Sequence, residues 1–415
     1  MTKTIPLPQW LNAELFLSVL EKNVENFEKI QTFSAKPAFA AGENYLSTLW
    51  SIEIEATLKD GSLKMLKYML KVPPESPQAM AIVTMLNSFK REMIAYYELL
   101  PAFEEMYMKQ GHKVHIAPKA FKFDKDLGMD VILMEDIRVN GFKTMNRLEG
   151  LDMEHTKCAL QKLAQFHAAS ATYIAEKGGL PELLMKPMLN EEMLKMLAQS
   201  QKPQEAKLLE NLHLYKAQHL REKIINYQTK YIEQIHESDN TSTQNPDGFY
   251  IFSHGDCWSN NIMFVHMYNK DRVTETLFVD FQAGRFVTPA LDLQYFLLSC
   301  PCLDIKIKYF DYFVQHYHQE LVKHLNILNY AKAVPSLTEV HKWIYKTSFI
   351  GYTVILKSLP VFLLDPTTTN DISMDNMMGD KSSGSDMQHA MYTNERYIKH
   401  MQQILPWMEN RGYFE

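Results

Sequence analysis

The residues best suited to chemistry are a short polar motif and one aspartate that follows it. His254-Gly-Asp256 precedes Asn261, and Asp280 ends an apolar run nineteen residues after Asn261. Phosphoryl transfer needs a carboxylate that orients and deprotonates the acceptor hydroxyl, and an amide oxygen and a second carboxylate that hold Mg²⁺ on the phosphates. Asp256, Asn261 and Asp280 are these residue types in this order. The purely structural alternative makes Asp256 a cap and Asn261 a turn residue, but the joint pattern favours catalysis.

A phosphotransferase of this kind also needs a lysine for the phosphates and a carboxylate that holds the lysine. Lys71 lies inside an apolar, strand-like run, where an unpaired lysine is costly. Glu92, near the start of the next helical pattern, is the predicted partner, and Glu98 is a weaker alternative. Taken alone, Lys71 could equally be an edge-strand lysine that extends towards solvent. The downstream motif favours the functional interpretation.

A segment that could cover the phosphates lies before the first predicted strand. Residues 41–47 contain one glycine, Gly42, and end at Ser47. Backbone N–H groups and the Ser47 hydroxyl are suited to this role, although a plain connection is nearly as consistent with a single glycine. No Gly-x-x-x-x-Gly-Lys-Ser/Thr motif occurs in the chain, so a Walker-type site is not supported.

The first part of the chain is predicted to be rich in sheet. Residues 10–32 carry apolar side chains at helical spacing, which predicts a helix. An Asp-Gly turn at 59–62 favours a hairpin, and residues 89–100 are helical in pattern. Strands are predicted over residues 45–56, 62–72, 114–123 and 129–134.

The second part is predicted to be mostly helical. Helices are predicted over residues 151–176, 191–197 and 207–235 and over most of the chain beyond 289. Short β-like runs are predicted at 249–253 and 276–281, and loops at 237–248 and 367–388. The outline is α+β with two lobes. A small antiparallel-sheet N-lobe is expected over 1–136, where it would cover the nucleotide. A large helical C-lobe spans 137–415 and carries the catalytic loop and the acceptor site. The hinge is expected at Glu135 to Arg138.

Charge and cysteine content exclude several classes of protein. The 415 residues include 43 Lys and Arg against 49 Asp and Glu, which gives a net charge of −6. A nucleic-acid binder should show a basic face, so no nucleic-acid partner is expected. Four cysteines in a chain of this length cannot form a disulfide scaffold. Their spacing does not match a zinc site, which indicates ordinary core cysteines.

The sequence predicts a cytoplasmic protein without a membrane span. The N-terminal residues lack the basic start and apolar run of a signal peptide. The longest apolar stretch, residues 348–364, is interrupted by Lys357 and Pro360. A transmembrane helix needs about 20 apolar residues, so this stretch is too short and too broken.

These motifs together resemble the ecdysteroid-kinase-like family of insects, which is also grouped with choline-kinase-like proteins. That family is similar in fold to aminoglycoside phosphotransferases and, more distantly, to protein kinases. The resemblance covers most of the chain, and His-Gly-Asp-x-Trp-x-Asn-Asn with Gly-Glu-Asn-Tyr is its narrowest part. The residues that carry it are Gly42-Glu-Asn-Tyr-Leu-Ser47, Lys71, Glu92, Leu133-Met-Glu-Asp-Ile137, Leu163 to Ser170, His254 to Phe264, Val279-Asp-Phe-Gln282 and Pro289-Ala-Leu-Asp292.

The resemblance implies a protein-kinase-like fold, ATP and Mg²⁺ as cofactors, and a role for each matched residue. Asp256 would be the catalytic base, and Asn261 and Asp280 would bind metal. His254 and Asp292 would be structural supports. The ATP-binding residues would be Lys71, which contacts the phosphates, Glu92, which holds it, Glu135 and Ile137, whose backbones contact adenine, and Asn44, Tyr45 and Ser47 in the covering loop.

Two departures from protein kinases argue against that class. At the position of the Asp-Phe-Gly motif of protein kinases, this chain has Asp280-Phe281-Gln282. No Ala-Pro-Glu motif follows it. The sequence therefore predicts a small-molecule kinase rather than one with a protein-kinase activation segment.

By the same resemblance, the acceptor is expected to be a hydroxyl of a lipophilic small molecule, such as an ecdysteroid-like steroid or a xenobiotic alcohol. A choline or ethanolamine kinase and a catalytically silent binding protein of the same fold remain alternatives. Choline recognition would require a cage of aromatic and acidic groups, for which the available rings are Trp343, Tyr345, Tyr352 and Trp407. No motif specifies the oligomeric state.

Overall fold

The computed structural model describes residues 7–38, 46–244, 248–267, 272–365 and 382–415. Contacts divide the chain into two compact units. The first comprises Met1–Pro101 and Ala117–Phe142, and the second comprises Ala102–Ile116 and Lys143–Glu415. The α+β class is confirmed, with an antiparallel sheet in the N-terminal part and a larger, mostly helical part after it. The lobe boundary after residue 136 stays a prediction.

The first unit is built on a five-stranded sheet with the order β1-β2-β3-β5-β4 and antiparallel neighbours. Its strands are β1 (Phe27–Pro37), β2 (Thr48–Leu58), β3 (Leu63–Val72), β4 (Ala120–Phe121) and β5 (Ile132–Glu135). Its helices are α1 (Leu17–Asn23), preceded by a 3-10 turn at Ala13–Phe16, then α2 (Pro77–Leu86) and α3 (Ser88–Ile94). A π-helical turn (Ala95–Leu99) connects α3 to α4 (Leu100–Lys109), which belongs to the second unit from Ala102 onward, and a 3-10 turn (Ile137–Asn140) follows β5.

The two faces of this sheet differ because side chains alternate along a strand. Trp50 and Ile52 of β2 and Leu70 of β3 point into an apolar core that α1 covers. Lys67 and Lys71 are an odd number of residues from Leu70 along β3, so their side chains lie on the opposite face of the sheet. Lys67 and Lys71 are therefore kept apart from the apolar core under α1.

The helix predicted over residues 10–32 is wrong in its second half. The helix ends at Asn23, and residues 27–37 form β1, which pairs with β2 from Phe27↔Leu58 to Pro37↔Trp50. Pairing with a distant strand overrides the local apolar spacing. The predicted hairpin of β2 and β3 is confirmed, whereas the strand predicted over 114–123 shortens to Ala120–Phe121.

The second unit is mostly helical. Its helices are α5 (Met153–Lys177), α6 (Glu182–Met185), α7 (Glu191–Ser200), α8 (Lys202–Glu210), α9 (Arg221–Gln244), α10 (Ala290–Ser299), α11 (Leu303–Lys306), α12 (Phe310–Ile327), α13 (Leu337–Lys346), α14 (Phe349–Thr353), α15 (Leu359–Phe362), α16 (Ser382–Thr393) and α17 (Glu395–Asn410). Short 3-10 or π turns occur at Gln218–Leu220, Ser259–Asn261 and Val354–Ser358.

Two small antiparallel strand pairs carry the motif region of this unit. Strand β6 (Ile251–Phe252) pairs with β9 (Phe286–Val287), and β7 (Ile262–His266) pairs with β8 (Val273–Phe278). The motif residues 253–261 therefore connect one pair to the other. Strand β7 has no counterpart in the sequence prediction.

Three predictions in this unit need correction. The helix predicted over 207–235 is two helices, α8 and α9, separated by residues 211–220. The loop predicted over 237–248 is helical as far as Gln244. Of the loop predicted over 367–388, residues 382–388 belong to α16, and residues up to 381 lie outside the described part. All four cysteines are free; Cys257 and Cys300 are buried, as expected for core cysteines, whereas Cys158 and Cys302 are half-buried.

Within the described part of the chain, none of the helices reaches the length and hydropathy that crossing a bilayer demands.

Candidate functional site

In the first unit, Lys71 and Glu92 form a buried ion pair. Lys71 Nζ on β3 lies 2.6 Å from Glu92 Oε2 on α3, and the two residues are only 3% and 0% exposed. Each charge offsets the cost of burying the other. Glu98, the alternative partner, is exposed on the π-helical turn. The structure thus brings Lys71 to Glu92 and not to Glu98.

Glu135 is the last residue of β5, and Ile137 begins the 3-10 turn that follows it. The Glu135 N–H donates to the Lys119 carbonyl at 2.9 Å. The Lys119 N–H donates instead to the Glu135 side chain, at 3.0 Å from Oε1. The Glu135 side chain therefore satisfies a donor that regular pairing would direct to its carbonyl.

The covering loop is described only at its end. Ser47 comes directly before β2, two residues from Leu49, which pairs with Lys71. Asn44 and Tyr45, the other predicted residues of this loop, lie outside the described residues.

In the second unit, strand pairing brings the motif residues together. Ile262 pairs with Phe278, so Asn261 and Val279 face each other just beyond the paired strands. The Val279 N–H donates to the Asn261 carbonyl at 3.0 Å, and Asp280 is the next residue. The register of one hairpin therefore places Asp280 beside Asn261, although nineteen residues separate them in the sequence.

The side chain of Asn261 contacts the predicted base directly. Asn261 Nδ2 donates to the Asp256 carbonyl at 3.0 Å and to Asp256 Oδ2 at 3.1 Å. These bonds fix which way the amide points, so Oδ1 is the Asn261 atom that remains for a cation. The structure brings Asp256, Asn261 and Asp280 into one neighbourhood of the second unit.

The backbone of Asp280 has an uncommon conformation. Its φ is +69°, in the left-handed region that residues other than glycine seldom adopt. Aspartate is one of the residues that tolerates this region, and such strain concentrates at functional positions. Gln282 Nε2 lies 3.4 Å from Asp280 Oδ2. The conformation turns the chain sharply where β8 ends.

A buried carboxylate, Asp292 on α10, anchors the start of the loop that carries Asp256. Its Oδ2 accepts the His254 N–H at 2.7 Å and lies 3.0 Å from His167 Nε2, and its Oδ1 accepts the Gly255 N–H at 2.8 Å. Burial alone would raise the pKa of Asp292, but the His167 and Gly255 bonds outweigh it and hold that pKa below its usual value. Asp292 therefore stays a carboxylate and an acceptor.

His254 is a support of the loop in this geometry. It is fully buried, its Nε2 donates to the Val279 carbonyl at 3.0 Å, and its Nδ1 accepts the Asp256 N–H at 3.3 Å. This pattern requires the neutral ring with the proton on Nε2. Burial lowers the pKa of His254, in agreement with a neutral imidazole.

Glycine is required at position 255 because the backbone at Ala283 passes very close to it. Its φ is +79°, and a Cβ at this position would lie 2.1 Å from the Ala283 carbonyl oxygen. No other residue fits between His254 and Asp256 without moving the backbone.

Two tyrosines of this network were missed by sequence reasoning. The Tyr295 hydroxyl donates to Asp256 Oδ1 at 2.9 Å. The hydroxyl oxygen of Tyr317, on α12, lies 2.7 Å from His167 Nδ1. Tyr295 follows Asp292 by three residues and so shares a helix face with it, which is a usable signal. Tyr317 carries no comparable signal, because its contact joins separate helices.

Chemically, the second unit offers a half-buried carboxylate at Asp256 with two fixed donors. Next to Asp256 in this unit lie the amide oxygen of Asn261 and the carboxylate of Asp280. The first unit offers a buried, paired ammonium group at Lys71. A proton acceptor, hard-cation ligands and a phosphate ligand are the groups that phosphoryl transfer to a hydroxyl uses.

Comparison with solved structures finds similar chains at low identity. An ethanolamine kinase from Plasmodium vivax is 12% identical, with a TM-score of 0.36 and coverage of 94% of this chain and 96% of that one. An amicoumacin kinase, solved with AMP-PNP, Ca²⁺ and amicoumacin, is 13% identical, with a TM-score of 0.39 and 94% of each chain covered. An aminoglycoside phosphotransferase from Streptomyces rimosus is 10% identical, with a TM-score of 0.31 and coverage of 81% and 97%.

A search of the curated proteins finds no match. The model of the ecdysteroid kinase-like family matches residues 41–330, which is well over half of the chain and includes every motif discussed above. The resemblance inferred from the sequence is thereby confirmed: the chain belongs to the ecdysteroid kinase-like family.

Proposed function

We propose that the protein is an ATP-dependent phosphotransferase that phosphorylates a hydroxyl of a lipophilic small molecule, such as an ecdysteroid-like steroid or a xenobiotic alcohol. The observation that carries this proposal is the Asp256 carboxylate, which Asn261 Nδ2 holds at 3.1 Å next to the turn at Asp280. Membership of a kinase-like family supports it.

Asp256 is the general base in this proposal. As the alcohol oxygen forms its bond to the γ-phosphorus, its proton passes to a carboxylate oxygen of Asp256, and the bond from phosphorus to the departing ADP oxygen breaks. A positioned carboxylate contributes about 10²–10⁴-fold to such a step. His254 and Asp292 hold the loop that carries Asp256 and do not touch the reacting atoms.

Asn261 and Asp280 are the residues that would hold Mg²⁺. Both present oxygen atoms, which this hard cation prefers, and the orientation of the Asn261 amide leaves its oxygen for a cation. Within the described residues, no three His, Cys, Asp or Glu side chains are grouped as metal ligands. Two ligands are enough here, because Mg²⁺ commonly uses one or two protein groups, substrate phosphates and water. When bound, Mg²⁺ would neutralise phosphate charge.

The nucleotide contacts in the first unit come from the face of the sheet that carries Lys71. Lys71 holds the phosphates and is held by Glu92, and Ser47 covers them. The Glu135 carbonyl and the Ile137 N–H contact adenine. A cavity of about 380 Å³ opens on this face, and its lining residues include Ser51, Glu53, Lys67, Asp136 and Arg138. Lys71, Glu92, Glu135 and Ile137 are not among its lining residues, so this cavity does not place the nucleotide.

A choline or ethanolamine kinase is the first alternative, and the four rings named for it from the sequence give it little support. Trp343 stacks on Phe249, Tyr352 packs on Tyr231, and Trp407 packs on Phe310. Tyr345, by contrast, is 59% exposed. These rings have separate packing partners and are not arranged around one site in the described structure.

The test is a panel of acceptors with γ-labelled ATP and Mg²⁺: a polyhydroxylated steroid, an aromatic alcohol, a terpenoid alcohol, choline and ethanolamine. Wild type is expected to transfer label to a lipophilic alcohol, and Asp256→Asn, which keeps the shape of the side chain, is the control that should lose transfer. Transfer to choline or ethanolamine alone would instead favour the first alternative. No transfer to any acceptor would favour a binding protein of the same fold.

A further inference from the structure

The Asp256 carboxylate has a donor on each oxygen. Tyr295 donates its hydroxyl to Oδ1 at 2.9 Å, and Asn261 Nδ2 lies 3.1 Å from Oδ2. Two donors on opposite oxygens define the plane of a carboxylate, whereas a single donor leaves it free to rotate about Cβ–Cγ. Each oxygen can accept more than one hydrogen bond, so neither donor prevents proton transfer from a substrate.

Tyr295 is itself held so that its proton points to Asp256. Ser358 Oγ donates to the Tyr295 oxygen at 3.4 Å, which leaves the phenolic proton for another acceptor. The Tyr295 ring meets Phe362 edge-on, with centroids 6.4 Å apart. Burial and the charge of Asp256 raise the pKa of Tyr295 well above its usual value, so the hydroxyl keeps its proton at any working pH.

Helix α10 acts on the catalytic loop at two points. Asp292 binds the backbone of His254 and Gly255. Tyr295, three residues later, binds the side chain of Asp256. One rigid helix thus sets both the path of the loop and the orientation of its carboxylate, which is what precise placement of a reactive group requires.

We propose that Tyr295 is a positioning residue, whose hydroxyl holds the Asp256 carboxylate in the orientation that receives the proton of the acceptor alcohol. The proposal rests on the proposed function. Tyr295 keeps its own proton throughout, and the proton of the alcohol goes to Asp256. A misplaced base slows the chemical step without weakening substrate binding. Loss of the Tyr295 hydroxyl should therefore lower kcat and leave KM unchanged.

The first experiment compares Tyr295→Phe with Tyr413→Phe. Tyr413 is a matched control because its buried hydroxyl donates to Gln294 Oε1 at 2.9 Å, on the same helix α10 but away from Asp256. With an accepted alcohol, Tyr295→Phe should lower kcat about tenfold with both KM values unchanged. Tyr413→Phe should keep kcat within about twofold of wild type. Thermal unfolding and calorimetric titration with Mg·ATP accompany the kinetics.

The second experiment is a double-mutant cycle with Asp256→Asn. If Tyr295 acts through Asp256, Tyr295→Phe lowers kcat no further once Asp256 has been replaced. A purely structural tyrosine would instead lower kcat again in that background. Incorporation of 3-fluorotyrosine at position 295, which keeps the ring and the hydroxyl, should retain the activity that Tyr295→Phe loses.

Three results would overturn the proposal: folded Tyr295→Phe with wild-type kcat, an equal loss in Tyr413→Phe, or a further loss in the Asp256→Asn background. If Tyr295→Phe does not fold, Ser358→Ala is the substitute test, because it removes the hydrogen bond that orients the Tyr295 hydroxyl. It should lower kcat about two- to threefold at unchanged KM, and an unchanged kcat would refute the role. Failure of the proposed function is a separate result, since the wild type itself would then transfer no phosphate.

Discussion

Asp292 Oδ2 lies 2.7 Å from the backbone nitrogen of His254, so a side chain of helix α10 holds the start of the loop that carries Asp256. The same carboxylate accepts the N–H of Gly255 through its other oxygen. Two consecutive backbone donors on one buried carboxylate fix the direction in which the chain leaves β6. The position of Asp256, the next residue, therefore depends on a side chain 36 residues further along the chain.

The first prediction follows from this anchor. Asp292→Asn replaces one acceptor oxygen by an NH₂ group that must face a backbone or imidazole N–H. Because the site is fully buried, the free energy of unfolding should fall by about 2–4 kcal/mol, and kcat should fall with it. Urea unfolding and steady-state kinetics measure the two effects. The exposed Asp304→Asn is the control, and equal stability of the two variants would contradict the anchoring role.

The second prediction concerns the buried pair of Lys71 and Glu92. Lys71→Met removes the cation from a carboxylate that is 0% exposed, so the free energy of unfolding should fall by about 3–5 kcal/mol. Lys67→Met is the control. Lys67 on the same strand pairs with Glu53 at 3.0 Å near the surface, and its loss should cost less than about 1 kcal/mol.

A second variant separates the two roles of Lys71. Lys71→Met combined with Glu92→Gln removes both charges and should recover most of the lost stability. Binding of Mg·ATP, measured by calorimetry, should stay weak in this variant, since no ammonium group remains for the phosphates. Wild-type affinity in the folded double variant would refute the phosphate role.

The third prediction distinguishes the metal ligand from the base. Asp280→Ala should weaken Mg·ATP binding at least about tenfold, because it removes one of two protein ligands to the cation. Asp256→Ala should largely spare that binding. Calorimetric titration of both variants, with circular dichroism as a check of folding, is the measurement. Equal affinity in wild type and Asp280→Ala would exclude the metal role of Asp280.

The fourth prediction is a pH dependence of stability from Lys306. Lys306 Nζ is buried and donates to the carbonyls of Leu298 and Ser299 at 2.6 and 3.0 Å, at the C-terminal end of α10. Burial lowers the pKa of Lys306 to about 7. An unfolded chain keeps its lysine protonated up to about pH 10. Between these values the unfolded state binds the extra proton, so stability should rise with pH.

The measurement for Lys306 is urea unfolding at several pH values between about 7.5 and 9.5. The slope contributed by one proton is at most about 1.4 kcal/mol per pH unit. Lys306→Met, which cannot titrate, should lack that contribution whatever its absolute stability. Identical slopes in the two proteins would show that Lys306 is charged in the folded state.

Sequence reasoning worked where the signal is local. Asp256 and Asn261 are so close in the sequence that spacing alone predicts one loop with both side chains, and the structure places them in contact. Lys71 was found because a lysine in an apolar run needs a partner, and the structure supplies Glu92 at 2.6 Å. The hairpin of β2 and β3 was predicted because an Asp-Gly turn lies between two apolar runs.

Local pattern failed where a distant partner decides the structure. Residues 27–32 fall within the segment whose apolar spacing predicted a helix, yet they form the first part of β1, because β2 offers a ladder from Leu58 to Trp50. The break at 211–220 between α8 and α9 was missed for a related reason: helical spacing continues across a segment that tertiary packing bends.

By itself, the sequence determined the family, the α+β class and the residue types of the proposed chemistry, since these depend on motifs that span a few residues each. Only the tertiary structure decided that Asp280 meets Asn261, through the pairing of Ile262 with Phe278. It also decided that Asp292 anchors the loop and that Tyr295 holds Asp256. The physical reason is that these contacts join residues far apart in the chain, and their geometry is set by strand register and helix packing.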